Sequence, residues 1–254
     1  MKDPEIRFFD WRDSHRLISS IYNEQGTALF ELAGNAKELA DLLLLDSATD
    51  DRIQSEHRGS IGISTFELVY AIPNAHVVNA AYTHPNESGG RFNDHTRGAW
   101  YAADCQEAAI AEVVYHKSRR LNDIIVPGEP DQRPQRDVSK YDDWLADFQA
   151  AFHALKPAAQ YLEFLKPEPV PQCYAASQAL ARRLLNAGSN GLVYPSVRYR
   201  GARCIACFRP ALVYNPRRSE RLEITLTANA AGYEHRVRKV SMLLKNSGPF
   251  PVGA

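Results

Sequence analysis

Strand-like and helix-like stretches follow one another in this chain without the regular strand–helix–strand alternation of a doubly wound parallel sheet. That irregular order points to an α+β domain. Leu17, Ile18 and Ile21 over Asp13–Tyr22, and Leu29, Leu32, Leu39 and Leu43 over Thr27–Leu45, have helical spacing. They predict a helical N-terminal extension over residues 1–60. From Ile63 the texture changes. Thr65–Ile72 reads as a strand, Val77–Val78 as the start of another, and Gly98–Ala102 as a third. Asp104, with Glu107 as its capping box, is the expected start of a helix through Ala108–Tyr115. Aromatic-rich Asp142–Leu155 reads as a helix. Tyr174–Asn186 reads as an amphipathic helix closed by Gly188. Leu192–Tyr194 and Cys204–Phe208 read as short buried strands and Leu222–Thr227 as an alternating one. Basic His235–Leu244 fits either a strand or a short helix. The expected division is an extension over 1–60, a catalytic unit over 61–215 and a C-terminal strand and basic tail over 216–254.

A chain of 254 residues, 44% hydrophobic, buries a large core without covalent staples. Its 30 Lys+Arg balance 30 Asp+Glu. A net charge of zero argues against nucleic-acid or acidic-membrane partners, which need a basic field. A small anion needs only a local cluster. No apolar run approaches the ~18 residues of a membrane helix, and Met1–Arg7 lacks a signal-like apolar region, so the cytoplasm is the expected compartment. Cys204 and Cys207 have the spacing of a zinc knuckle, but Ile-Ala between them reads as strand and no second pair accompanies them. No metal site is expected.

Three places carry chemistry. Ser88–Asn93 holds Gly89 and Gly90 before Arg91, a loop whose backbone approaches a ligand closely and whose guanidinium suits phosphate. Glu112 is a carboxylate in an otherwise apolar helix. Ser196 and Arg198 follow the strand Leu192–Tyr194, where a hydroxyl and a cation suit an anion. Each has a plainer reading: a common turn, a helix-edge acid, an ordinary serine turn.

Taken together, Gly-Gly-Arg-Phe-Asn, Ala-Trp-Tyr-Ala-Ala, the Ala-Glu helix, Tyr-Ala-Ala-Ser-Gln and Gly-Leu-Val-Tyr-Pro-Ser-Val-Arg resemble the RES domain family, from about Thr65 to Pro210. The resemblance implies a fold like that of ADP-ribosyltransferase toxins, a split β-core with surrounding helices. It implies a NAD-degrading toxin of a RES–Xre toxin–antitoxin pair. Such an enzyme breaks the nicotinamide N-glycosidic bond by phosphorolysis or hydrolysis, with NAD as substrate, inorganic phosphate as a candidate co-substrate and no prosthetic group. An Xre-like antitoxin is the implied protein partner. The alternatives are an ADP-ribosyltransferase acting on a protein and a non-catalytic nucleotide-binding or interaction module. Arg91, Glu112 and Ser196 match the residues that name the family, and Tyr101 its tyrosine before the glutamate helix. Gly90, Arg91, Asn93, Tyr101 and Arg198 are the expected binding residues. One departure stands out. The family carries a further Arg on its first strand, after Trp or Tyr, where Val69-Tyr70-Ala71 offers Ala71. Arg58, Arg97 and Arg198 are the candidates to replace it.

Overall fold

In the computed structural model, residues 3–20, 62–124 and 133–241 are described. Seven strands form one sheet: β1 (Glu5–Ser19), β2 (Trp100–Ala103), β3 (Arg136–Ala154), β4 (Gly191–Pro195), β5 (Arg203–Cys207), β6 (Tyr214–Asn229) and β7 (Gly232–Val240). Among the described residues the α-helices are α1 (Ala75–Thr83), α2 (Gln106–Asn122) and α3 (Ala175–Asn186). The protein is α+β. The strand order is β1-β2-β5-β4-β3-β6-β7, and β1 also pairs with β3, so the first five strands close on themselves. The segments ahead of residue 61 and beyond 215 both contribute strands to this sheet.

Several local expectations are corrected. Asp13–Ser19 is not helical but the second half of β1, paired antiparallel with β3 from Glu5↔Ala154 to Ser19↔Tyr141. The helix expected over Thr27–Leu45 lies outside the described residues. Asp142–Leu155 is not a helix but the inner part of β3, which has partners on both sides. Thr65–Ile72 is a 3-10 turn and loop rather than a strand. Ser64 and Glu67 form a capping box there, and Ala71 sits in a left-handed turn at φ 57°. Val77 and Val78 lie in α1. Cys105, not Asp104, takes the N-cap of α2. Asp104 instead accepts hydrogen bonds from the Arg203 backbone N and side-chain Nε, at 2.9 and 3.2 Å, and so ties β2 to β5. His235–Val240 is strand.

Two apolar layers flank the sheet. On one face Phe92, Phe164, Leu180, Leu184, Leu192 and Tyr194 pack between the strands, α3 and the 3-10 segment Ala159–Leu165. On the other, Tyr82, Trp100, Phe148, Phe152 and Ile205 pack under α1. Each such side chain contributes ~1.5–3 kcal/mol on burial. Cys204 belongs to the first layer and Cys207 to the second, so the two thiols face opposite sides of β5. All four cysteines are free. No helix of the described residues is long and apolar enough to cross a membrane.

The placement of the cleft follows from one weak seam. β1 and β2 share a single residue pair, His15↔Ala103. On either side of it the pairing stops, and the Arg16 side chain reaches across, its Nη1 donating to the Tyr101 carbonyl at 3.2 Å.

Candidate functional site

A cavity of about 430 Å³ opens along that seam. β1 supplies Arg16, the loop before β2 supplies Gly90, Arg91 and Asn93, β2 supplies Tyr101, and α2 supplies Glu112 and His116. Of the residues expected from sequence, Gly90, Arg91, Asn93, Tyr101 and Glu112 therefore share one cavity. Ser196 and Arg198 do not line it.

The loop is built for close approach. Gly89 adopts φ +69°, which favours glycine. A Cβ on Gly90 would lie 2.6 Å from Asn93 Oδ1 and 2.9 Å from the Tyr101 hydroxyl. Those two atoms bond each other: the Tyr101 hydroxyl donates to Asn93 Oδ1 at 2.8 Å and accepts from the Phe92 N–H at 2.8 Å. Tyr101 thus fixes the loop from below, and burial pushes its phenol far above the ordinary value. Asn93 in turn donates to the carbonyls of Asp94 and Arg97. Arg91 is only 6% exposed. Its Nη1 donates to the carbonyls of Phe164 and Lys166, at 3.2 and 2.8 Å. Its guanidinium lies 4.9 Å from the Tyr174 ring centre. Held this way, Arg91 is a preorganised cation rather than a mobile one.

Glu112 is the acid of the cleft. Burial raises its carboxyl above the ordinary range, and Arg198 and then Arg91 pull it partly back. His116, one turn along α2, brings Nε2 to 3.7 Å from Glu112 Oε2. Burial pushes His116 down to about 4, with Arg198 and Arg120 adding to the effect, so the ring is neutral at physiological pH. Ser196 plays a turn-forming part: its Oγ accepts from the backbone N–H groups of Arg198 and Tyr199, at 3.3 and 3.1 Å.

Thr65–Ile72 is not a strand, so Ala71 does not stand on one. The first strand is β1, and its Arg16 lines the cavity. Its guanidinium lies 4.9 Å from the Trp100 ring, and burial brings it down to about 10, still cationic. Arg16 lies outside the stretch that carries the resemblance, so it adds a cation to the cleft without standing at the position of Ala71. Arg97 does not fill the role either: it forks onto Glu67 with two 2.9 Å bonds and donates to the Phe208 carbonyl. Arg58 lies outside the described residues. The only signal for Arg16 in the sequence is a basic residue beside apolar Leu17 and Ile18, which helical spacing disguised.

Fold and site together define an α+β protein whose closed sheet parts at one seam into a cleft where arginines surround a single glutamate. The RES domain model matches residues 68–227, more than half of the chain, and the chain belongs to the RES domain family. No curated protein matches it. A chain of the crystal structure of the M. tuberculosis MbcT–MbcA toxin–antitoxin complex is similar over 84% of this chain and 85% of its own, at 12% identity and a TM-score of 0.40.

Proposed function

We propose that this protein degrades NAD by breaking the bond between nicotinamide and ribose, and that it acts in the cytoplasm as the toxin of a toxin–antitoxin pair. The observation that carries this reading is the convergence of Arg16, Arg91, Tyr101 and Glu112 on one cavity in a chain of the RES domain family. In the reaction, the C1″–N bond breaks and its electron pair leaves with nicotinamide, which becomes neutral. The ribose is left oxocarbenium-like. Water or inorganic phosphate then adds at C1″, and the proton of the acceptor passes to solvent.

Each residue has a part in this scheme. The Glu112 carboxylate stabilises the developing positive charge and accepts from the ribose hydroxyls. Arg91 uses Nη1 on backbone carbonyls, and its Nε and Nη2 make no bond to described residues, which leaves them for the pyrophosphate. Arg16 supplies a second cation across the seam. Tyr174 and Tyr101 offer ring faces beside Arg91.

The test is incubation of purified protein with NAD, with and without phosphate, and chromatography of the products. ADP-ribose with nicotinamide identifies hydrolysis, and ADP-ribose 1″-phosphate identifies phosphorolysis. Transfer of label to a protein would instead support an ADP-ribosyltransferase. Intact NAD under every condition refutes the proposal. Glu112→Gln lowers the rate by about a hundredfold or more. Expression in cells arrests growth, and co-expression of an Xre-like antitoxin relieves it.

A further inference from the structure

Tyr115 sits on α2 three residues beyond Glu112, on the same side of the helix. The guanidinium carbon of Arg198 lies 3.3 Å from the centre of its ring. Arg198 has few other anchors. Its Nη2 donates to the Pro167 carbonyl at 2.6 Å, and its Nε is buried without a hydrogen-bond partner. The Tyr115 hydroxyl donates to Glu168 Oε1, so the ring itself is braced by the residue next to Pro167. The turn that presents Arg198 is set by Ser196 Oγ. Neither a ring face nor a carbonyl neutralises a guanidinium, so the charge of Arg198 stays available to its surroundings.

We propose that Tyr115 is a positioning residue that holds Arg198 where its charge acts on Glu112. The consequence for catalysis rests on the NAD-cleavage reading, while the positioning does not. The groups around Glu112 single out this pair. His116 on its own helix is neutral. Tyr101 on β2, Tyr174 before α3 and Tyr194 on β4 are pushed upward by burial and stay protonated. Cys204 on β5, pushed to about 12, does the same. Arg16 on β1 and Lys117 and Arg120 on α2 line the same cavity, yet the cations that act on the Glu112 carboxyl are Arg198 and then Arg91. Arg91 is fixed by two carbonyls and a ring, whereas Arg198 has one carbonyl and the Tyr115 ring.

A nearby cation favours the carboxylate, so releasing Arg198 makes Glu112 harder to ionise. The experiment follows the Glu112 carboxyl carbon by NMR titration in the full-length protein, beside pH–rate profiles of NAD cleavage. Tyr115→Phe keeps the ring face, and its midpoint and acid limb superimpose on wild type. Tyr115→Leu moves both upward by about half a pH unit or more. A folded Tyr115→Leu protein with an unmoved Glu112 midpoint overturns the proposal. If Tyr115→Leu does not fold, Arg198→Met decides: its Glu112 midpoint must also rise, and an unmoved one overturns the proposal as well. A wild-type protein that leaves NAD intact while these midpoints shift refutes the NAD reading and leaves the positioning standing.

Discussion

Arg16 brings a cation into an apolar neighbourhood of Trp100 and Tyr82, with its Nε buried and without a hydrogen-bond partner. No carboxylate of the described residues forms an ion pair with it. A partly buried charge without a carboxylate partner lowers stability unless something else gains from it. An anionic ligand in the cleft is that gain. Arg16→Met keeps the length and bulk of the side chain and removes the charge. It is expected to weaken ADP-ribose binding by about tenfold or more, the loss of a charge-assisted hydrogen bond. The melting temperature should hold or rise. Calorimetry with ADP-ribose and a thermal melt check this; unchanged affinity with a sharply lower melting temperature would make Arg16 purely structural. Arg91, Tyr101 and Glu112 were legible in the sequence because they lie in or beside recognisable segments. Arg16 was not. Nothing near it in the chain marks it, and it reaches the cleft only because β1 pairs with β3 and touches β2 at one residue.

At the scale of elements, α2 and α3 were legible because each keeps a helical stripe over several turns, with Ala108, Ala109 and Leu121 or Leu180, Ala181 and Leu184 buried. β3 was not. Trp144, Phe148 and Phe152 repeat every four residues, a spacing that suits a helix and, as a multiple of two, equally suits a strand. Ala146 and Ala150 complete the strand face, but alanine is the strongest helix former and is depleted in strands, so it favours the helical reading. β1 was disguised differently. A bulge between Trp11 and Ser14 shifts its register, and Asp13 at φ 52° marks it, so its alternation changes phase midway.

Asp142, fully buried, belongs to the same misread stretch. Arg221 of β6 forks onto it at 2.7 and 3.1 Å, and Arg218 approaches to 3.5 Å. The pair fastens β6, and through it β7, to the closed strands. Asp142→Leu deprives Arg221 of this carboxylate and is expected to cost ~3–5 kcal/mol in urea unfolding, whereas Asp142→Leu with Arg221→Met recovers most of that loss. A single substitution costing less than ~1 kcal/mol would mean that apolar packing of Leu222, Ile224 and Leu226, not the ion pair, holds β6 in register.

At the scale of the whole molecule, positive and negative side chains cancel, yet the cleft is one-sided: Arg16, Arg91 and Arg120 line it, and Glu112 faces them. The cancellation removes any long-range field that would gather a polyanion. The clustering leaves strong short-range sites for a dinucleotide. Salt distinguishes the two arrangements, because it screens charges separated by more than ~8–10 Å and affects partly buried contacts much less. Binding of ADP-ribose should therefore weaken only a few-fold as salt rises from low to molar concentration. Reversal of an exposed charge outside the cleft, such as Arg236→Glu on β7, should leave that affinity unchanged. Arg120→Glu, an exposed residue at the cavity wall, should lower it and flatten what salt dependence there is. If Arg236→Glu weakened binding as much as Arg120→Glu, the ligand would be responding to the field of the whole surface, and the cleft would not be where it binds.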